Sequence, residues 1–176
     1  MDEAFRILDD GRVFFDYGPA SMVVTARRGD ENLSDLAASA FPFLRDSLSE
    51  IAGALPILRQ YPDGMDYSEL TGLPRVMAES VLATGEPTLT PMAAVAGTVA
   101  DAMADWLFAR GADLVAVNNG GDVALRPGEG RSIRMGILPD LNGRVTEIVE
   151  IRAEDGIGGV CTSGLGGRSL TRGIAG

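Results

Sequence analysis

Two glycine-rich segments carry the residues of this sequence that are best suited to chemistry. The first, at 118–122, is Asn-Asn-Gly-Gly-Asp, and the second, at 162–169, is Thr-Ser-Gly-Leu-Gly-Gly-Arg-Ser. Glycines allow backbone amides to approach a ligand closely, and Asp122 would then accept hydrogen bonds from that ligand or from a loop amide. Successive N–H groups of the second segment would form an anion-binding nest, where Arg168 would fork onto a phosphate.

Each segment also has a purely structural interpretation. The Asn119-Gly120 pair supplies the positive φ that a tight hairpin turn needs, so the first segment is also typical of a turn between two strands. The turn and the binding site are compatible with each other. The second segment is also typical of a flexible tail, and it is not a P-loop, because the GxxxxGK[ST] pattern is absent.

A third candidate is a helix face on which Gly97, Asp101 and Asp105 recur every four residues. The alternative is an ordinary solvated face, and a metal ion would need more oxygen ligands than these two carboxylates. Cys161 lies at the end of an apolar strand, so we expect a small buried core residue there rather than a nucleophile.

Composition excludes several classes of function. The chain has no histidine, which excludes Ser-His-Asp and Cys-His catalysis and histidine-ligated metals. One cysteine allows neither a disulfide within the chain nor a CxxC motif. The net charge is −10 and the longest basic run is Arg27-Arg28, so neither a nucleic acid nor an anionic membrane surface is an expected partner. No signal peptide or membrane span is recognisable, and we expect a cytoplasmic protein.

The elements that must position these residues follow from periodicity and from breakers. Strands are predicted at 12–16 and 20–26, a helix at 31–52 that Pro42 kinks or splits, a connection at 53–72, and a short helix after Pro74 with Val76, Met77, Val81 and Leu82 inward. A longer helix begins at Pro91, ends at Gly111 and buries Trp106. Further strands are predicted at 113–118, 122–126, 132–138, 145–152 and 157–162.

Helices followed by strands favour an α+β fold. We expect one domain, 1–176, with a mainly antiparallel or mixed sheet from the C-terminal half, covered by the helices at 31–52 and 92–110. The last eleven residues contain four glycines and no apolar periodicity, so we expect a chain that is truncated at its C-terminus.

The order of these segments resembles the ApbE-like proteins, and in particular their uncharacterised bacterial and archaeal branch. The matching segments are PMAAVAG at 91–97, AD at 100–101, VNNGGDVA at 117–124, CTSG at 161–164 and GRS at 167–169, with LPILR at 55–59 and PRVM at 74–77. The Asn-Gly-Gly-Asp and Thr-Ser-Gly motifs, in this order and about 40 residues apart, are together fairly specific, although each alone would be weak.

The resemblance implies a flavin site. ApbE proteins are FAD:protein FMN transferases that use magnesium and move FMN onto a Thr or Ser of a target flavoprotein. Their Gly-Gly-Asp segment and the helix before it line the FAD site, and the Thr-Ser-Gly segment lies nearby. The implied binding residues here are Gly97, Asp101, Asn119, Gly120, Gly121, Asp122, Thr162, Ser163, Gly164 and Arg168, and a backbone carbonyl within 93–97 would face magnesium.

The sequence also departs from the transferases. It lacks the Ala-, Asp- and Thr-rich stretch that supplies their magnesium carboxylate and threonine, and it lacks the histidine-containing motif after Thr-Ser-Gly. No catalytic residue or metal ligand can therefore be assigned. The resemblance implies a protein that binds FAD or FMN, or a similar phosphate-bearing ligand, between the two glycine-rich segments. If the protein is an enzyme, the implied activity is magnesium-dependent FMN transfer or FAD hydrolysis. The alternative is a non-catalytic binding or assembly protein on the same scaffold. The expected partners are a small nucleotide and an acceptor flavoprotein. The sequence leaves open whether the protein forms a homo-oligomer.

Overall fold

The structure is a computed structural model that describes residues 4–64, 66–137, 145 and 147–161. The strands are β1 (Phe5–Ile7), β2 (Val13–Tyr17), β3 (Ala20–Arg28), β4 (Glu31–Asn32), β5 (Leu114–Asn119), β6 (Asp122–Pro127), β7 (Ser132–Ile137), β8 (Glu147–Arg152) and β9 (Gly159–Cys161). The helices are α1 (Ser34–Ala38), α2 (Phe41–Gly53), α3 (Leu55–Leu58), α4 (Gly72–Thr84) and α5 (Val95–Phe108). The α+β fold predicted from the sequence is confirmed.

Within the described ranges the large sheet has the strand order β1-β2-β3-β5-β6-β9, and β4 pairs with the end of β3. All of these pairings are antiparallel. β7 and β8 form a separate two-stranded ribbon. The C-terminal strands β5, β6 and β9 are thus joined in one sheet to the two strands predicted near the N-terminus.

The two faces of the sheet have different partners, because side chains alternate along each strand. One face carries the main apolar core, which includes Val24, Val117 and Ala124 and lies under the helices. The opposite face carries Leu125, which packs against Ile133 and Ile151 of the β7–β8 ribbon. Even-numbered residues of β6 therefore face the helices, and odd-numbered ones face the ribbon.

Helix α5 lies on β5 and β6, and α2 and α4 pack against it. A 3-10 turn at Pro91–Ala94 precedes α5, in agreement with a helix that starts near Pro91. The predicted helix at 31–52 is divided into α1 and α2, and Pro42 lies in the first turn of α2. Proline is tolerated there because the first-turn N–H groups have no partner within the helix.

Three side chains differ from the sequence-based expectation. Val76 and Leu82 are 47% and 45% exposed rather than turned inward. Trp106 is half-buried, stacked on Phe43 and covered by Arg110. The small residues Ala100 and Ala104 are fully buried in its place, because they allow α5 to approach the sheet closely. No helix in the described part of the chain is both long and apolar enough to cross a lipid bilayer.

Candidate functional site

A cleft of about 650 Å³ opens between the helices and the β6–β9 side of the sheet. Its walls come from α4, from the turn before α5, from α5 itself, from β6 and from β9. The described residues that line it are Val76, Ser80, Ala93, Ala94, Gly97, Thr98, Asp101, Asp122, Val123, Ala124, Arg126, Gly158, Gly159, Val160 and Cys161. The structure therefore brings Gly97, Asp101 and Asp122 together around one space.

In the wall formed by α5, the cleft borders a residue without a side chain, Gly97. A Cβ atom added to Gly97 would meet no other atom within 4 Å, so the space in front of this glycine is open. From Gly97 to Asp105 the helix rises about 12 Å, and from Asp122 to Arg126 the strand advances about 13 Å. The segment of α5 from Gly97 to Asp105 and the segment of β6 from Asp122 to Arg126 therefore have about the same length. Gly97 lies at one end of the α5 segment.

The turn between β5 and β6 is a tight two-residue hairpin turn, as predicted, but its two central residues are Gly120 and Gly121 rather than Asn119 and Gly120. Asn119 and Asp122 are paired across Gly120 and Gly121, and both glycines have positive φ, 69° and 114°. The Asn118 side chain accepts a hydrogen bond from the Gly121 N–H at 3.0 Å. The structural interpretation of this segment, a hairpin turn, is thus confirmed.

Asn119 and Gly120 lie beside a second, smaller cavity. It measures about 190 Å³, and Leu48, Val95 and Val99 contribute to its lining. The Asn119 amide donates a hydrogen bond to the carbonyl oxygen of Ala96 at 3.1 Å, which ties the turn to α5. Asp122 borders both this cavity and the main cleft.

Asp122 is the acidic group that the structure leaves open to a ligand. Within the described part of the chain its carboxylate makes no hydrogen bond and no ion pair. Burial raises the pKa of Asp122 above the ordinary value of 3.8, because desolvation disfavours the charged form. A ligand that donates a hydrogen bond here would replace the water that the carboxylate has lost.

Replacement of Asp122 by Asn is expected to change the pH dependence of stability. Since the pKa is raised in the folded state, the contribution of this group to stability is fully present below pH 3.8 and is lost as the pH rises through the folded value. Asp122→Asn does not titrate, so its stability relative to wild type should increase from acid to neutral pH. Thermal unfolding of both proteins across this range measures the difference, and a constant offset at every pH would contradict the assignment.

The structure also reveals a residue that the sequence-based search missed. Arg126 donates from Nε to Asp105 at 2.6 Å and from Nη2 to Asp101 at 3.0 Å. Its Nη1 donates to the carbonyl oxygens of Leu125 and Gly158, both at 3.0 Å. The Gly97–Asp105 helix face is therefore partly solvated, as one interpretation held, and its two carboxylates are ion-paired to β6.

A signal for Arg126 was present in the sequence. Asp122, Ala124 and Arg126 alternate along β6 and must share one face, and Asp101 and Asp105 share one face of α5. The sequence does not show that α5 lies over β6, so the ion pairs between Arg126 and the two carboxylates of α5 could not be predicted.

The expectation that Cys161 is buried is wrong: the thiol is exposed. β9 is a strand of three exposed residues at the edge of the described sheet. Cys161 pairs with Asp122 in register and borders the cleft. The remaining predicted binding residues, Thr162, Ser163, Gly164 and Arg168, lie outside the described residues.

The described ranges contain no group of three or more Cys, Asp or Glu side chains arranged to hold a metal ion. The chain has no histidine that would add to such a group. Asp101 is already paired with Arg126, and Asp122 stands alone. These residues therefore do not form a metal centre by themselves.

Comparison with known proteins found a matching family and relatives in two organisms. The sequence profile of a family described as "AbpE bacteria" matches residues 5–176. A "UPF0280 protein" of Methanosarcina acetivorans is 35% identical over 103 residues, which cover 58% of this chain and 40% of that protein. A "UPF0280 protein" of Methanococcoides burtonii is 29% identical over 154 residues, 87% of this chain and 63% of that protein. The matches thus span less than two thirds of either relative.

Proposed function

We propose that this chain, which belongs to the AbpE bacteria family, binds a flavin nucleotide, FAD or FMN, in the cleft between α5 and β6. The observation that carries the proposal is the open space in front of Gly97, in the same cleft as Asp122, whose carboxylate has no partner among the described residues. The choice of a flavin rests on the resemblance of the Asn-Gly-Gly-Asp and Thr-Ser-Gly motifs to those of the ApbE-like proteins.

The size and lining of the cleft suit such a ligand. Pockets for small molecules and cofactors measure roughly 300–1,000 Å³, and this cleft measures about 650 Å³. Ala93, Ala94 and Gly97 offer a wall of small groups against which a planar ring would lie. Asp122 would accept a hydrogen bond from a ring N–H or from a ribose hydroxyl, which fixes the orientation of the ligand.

The charges around the cleft indicate what the phosphates of a nucleotide would need. Asp101, Asp122 and Arg126 are the charged residues among its described lining, and Arg126 is already paired with Asp101 and Asp105. Phosphates therefore require a further positive charge. Arg168, or a magnesium ion that arrives with the nucleotide, is the proposed source, since the described residues do not hold a metal on their own.

Titration of the full chain with FAD, FMN and ADP, with and without magnesium, tests this proposal. We expect FAD to bind, and Asp122→Ala to weaken that binding by about 1.5–3 kcal/mol, the scale of a hydrogen bond to a charged group. Asp16→Ala, an exposed carboxylate on β2 away from the cleft, is the matched control and should bind FAD as wild type does. Flavin fluorescence or calorimetry gives the constants. Absence of FAD binding, or equal affinity of the two variants, would contradict the proposal.

A second experiment separates a binding protein from an enzyme. The transferase or hydrolase activity would release AMP from FAD, because FMN passes to a hydroxyl or to water. A binding protein would leave FAD intact and would release no AMP. Incubation of the protein with FAD and magnesium, with and without an acceptor flavoprotein that supplies a Thr or Ser hydroxyl, followed by chromatography for AMP, decides between the two.

A further inference from the structure

Arg126 is the point at which three walls of the cleft meet. It stands on β6 and reaches both carboxylates of α5, and it donates to the carbonyl oxygen of Gly158, the residue before β9. That carbonyl also accepts the Leu125 N–H at 2.8 Å. Only 24% of the Arg126 side chain is exposed, so its ion pairs are less screened by solvent than those of a fully exposed arginine.

Among the described residues, β9 is held by its pairing with β6 and by Arg126. It is three residues long, it is exposed, and it pairs with β6 over Asp122, Val123 and Ala124. Within the described ranges, Arg126 provides the hydrogen-bonded link from this edge of the sheet to α5. Residues of α5 and of β9 line the cleft on different sides. The distance between these two elements therefore sets the width of the cleft.

The planar guanidinium group of Arg126 is suited to donate hydrogen bonds to acceptors on several elements at once. Asp101 and Asp105 lie four residues apart on one helix, where like charges repel, and a single cation between them removes the repulsion. A planar fork also donates to several acceptors in fixed directions, whereas a lysine ammonium is a compact point charge on a flexible stem.

We propose that Arg126 is a positioning residue, which fixes β9 against α5 and so sets the width at which the cleft accepts its ligand. The proposal rests on the proposed function for the identity of that ligand. It assigns to Arg126 no contact with the ligand itself, and its action on β9 is present before any ligand binds.

Two measurements on the full chain test this role. In Arg126→Met, hydrogen–deuterium exchange of the backbone at 157–161 should accelerate about tenfold without any ligand, the factor that corresponds to one lost hydrogen bond to a charged group. FAD affinity should fall about tenfold or more for the same reason. Arg126→Lys, which retains the charge without the fork, should recover part of both effects.

Arg131→Met is the matched control. Arg131 is similarly shielded, with 27% of its side chain exposed, and it pairs with Asp113 and donates to Gly29 away from the cleft. The Arg131→Met variant should have a lower unfolding midpoint than wild type. Its hydrogen–deuterium exchange at 157–161 and its FAD affinity should stay within about twofold of wild type, a smaller change than the loss of one hydrogen bond to a charged group would cause. Unchanged exchange or affinity in Arg126→Met, or the same changes in Arg131→Met, would overturn the proposal. If wild type binds no FAD, the proposed function fails, and the exchange comparison still decides the role of Arg126.

Discussion

Gly97→Leu is expected to weaken FAD binding about 100-fold while the protein stays folded. The space in front of this glycine is empty in the structure, so a leucine side chain would project into the cleft without displacing the core. A ligand would then have to overlap the new side chain. Overpacking of a filled site costs up to about 3 kcal/mol, which corresponds to an affinity loss of about 100-fold. The measurement is the titration of the variant with FAD beside its thermal unfolding curve.

Two controls make this experiment specific. Gly97→Ala should bind FAD more weakly than wild type or equally well, and should be more stable by about 0.5–1 kcal/mol, because alanine favours a helix over glycine. Gly53→Leu places the same side chain at the end of α2, also in open space but away from the cleft, and should leave binding unchanged. Full FAD affinity in Gly97→Leu would place the ligand elsewhere, whatever the stability of the variant.

Phe15→Ala is expected to destabilise the protein by about 3–5 kcal/mol, as is usual when a buried aromatic side chain is truncated. Phe15 is completely buried on the helix-facing side of β2, and its ring contacts those of Phe5 and Phe41 at centroid distances of 5.9 and 6.4 Å. Truncation therefore removes apolar burial and two ring contacts and leaves a cavity. Urea unfolding at constant m-value measures the loss.

Phe14→Ala is the matched control, because it removes the same side chain from the next position of the same strand. Phe14 faces the other side of the sheet, where it is half-buried under Arg6, and its truncation should cost about 1 kcal/mol. A larger loss in Phe14→Ala than in Phe15→Ala would show that the register of β2 is wrong by one residue, since a one-residue slip exchanges the faces of a strand. Equal losses would contradict the difference in burial between the two side chains.

The elements that the sequence predicted well are those whose signals are local. The β5–β6 hairpin was predicted at 113–118 and 122–126 and lies at Leu114–Asn119 and Asp122–Pro127, because alternation and an Asn-Gly turn act over a few residues. The division of the first helix near Pro42 is local in the same sense. These signals also placed Asp122 at the end of a strand, where the cleft was to be found.

The features that the sequence did not predict depend on how elements are packed. Arg126 became a candidate only once α5 was seen to lie over β6, because its partners Asp101 and Asp105 are more than 20 residues away in sequence. Trp106 belongs to the apolar stripe of α5, but the helix turns its alanines to the sheet, and this rotation is a property of the packed pair. Cys161 has an apolar strand before it, and only the strand order shows that β9 lies at an edge.

The number of residues in the turn at Gly120 and Gly121 determines which side chains of β6 line the cleft. Asn119 and Asp122 are paired around these two residues, and this register alone decides which face of β6 meets the helices. One residue gained or lost in the turn would send Asp122 and Arg126 to the ribbon side and would place Val123 and Leu125 under α5. Substitutions within this turn would therefore leave the cleft lining in place. The insertion or deletion of one residue would remove both Asp122 and Arg126 from the cleft.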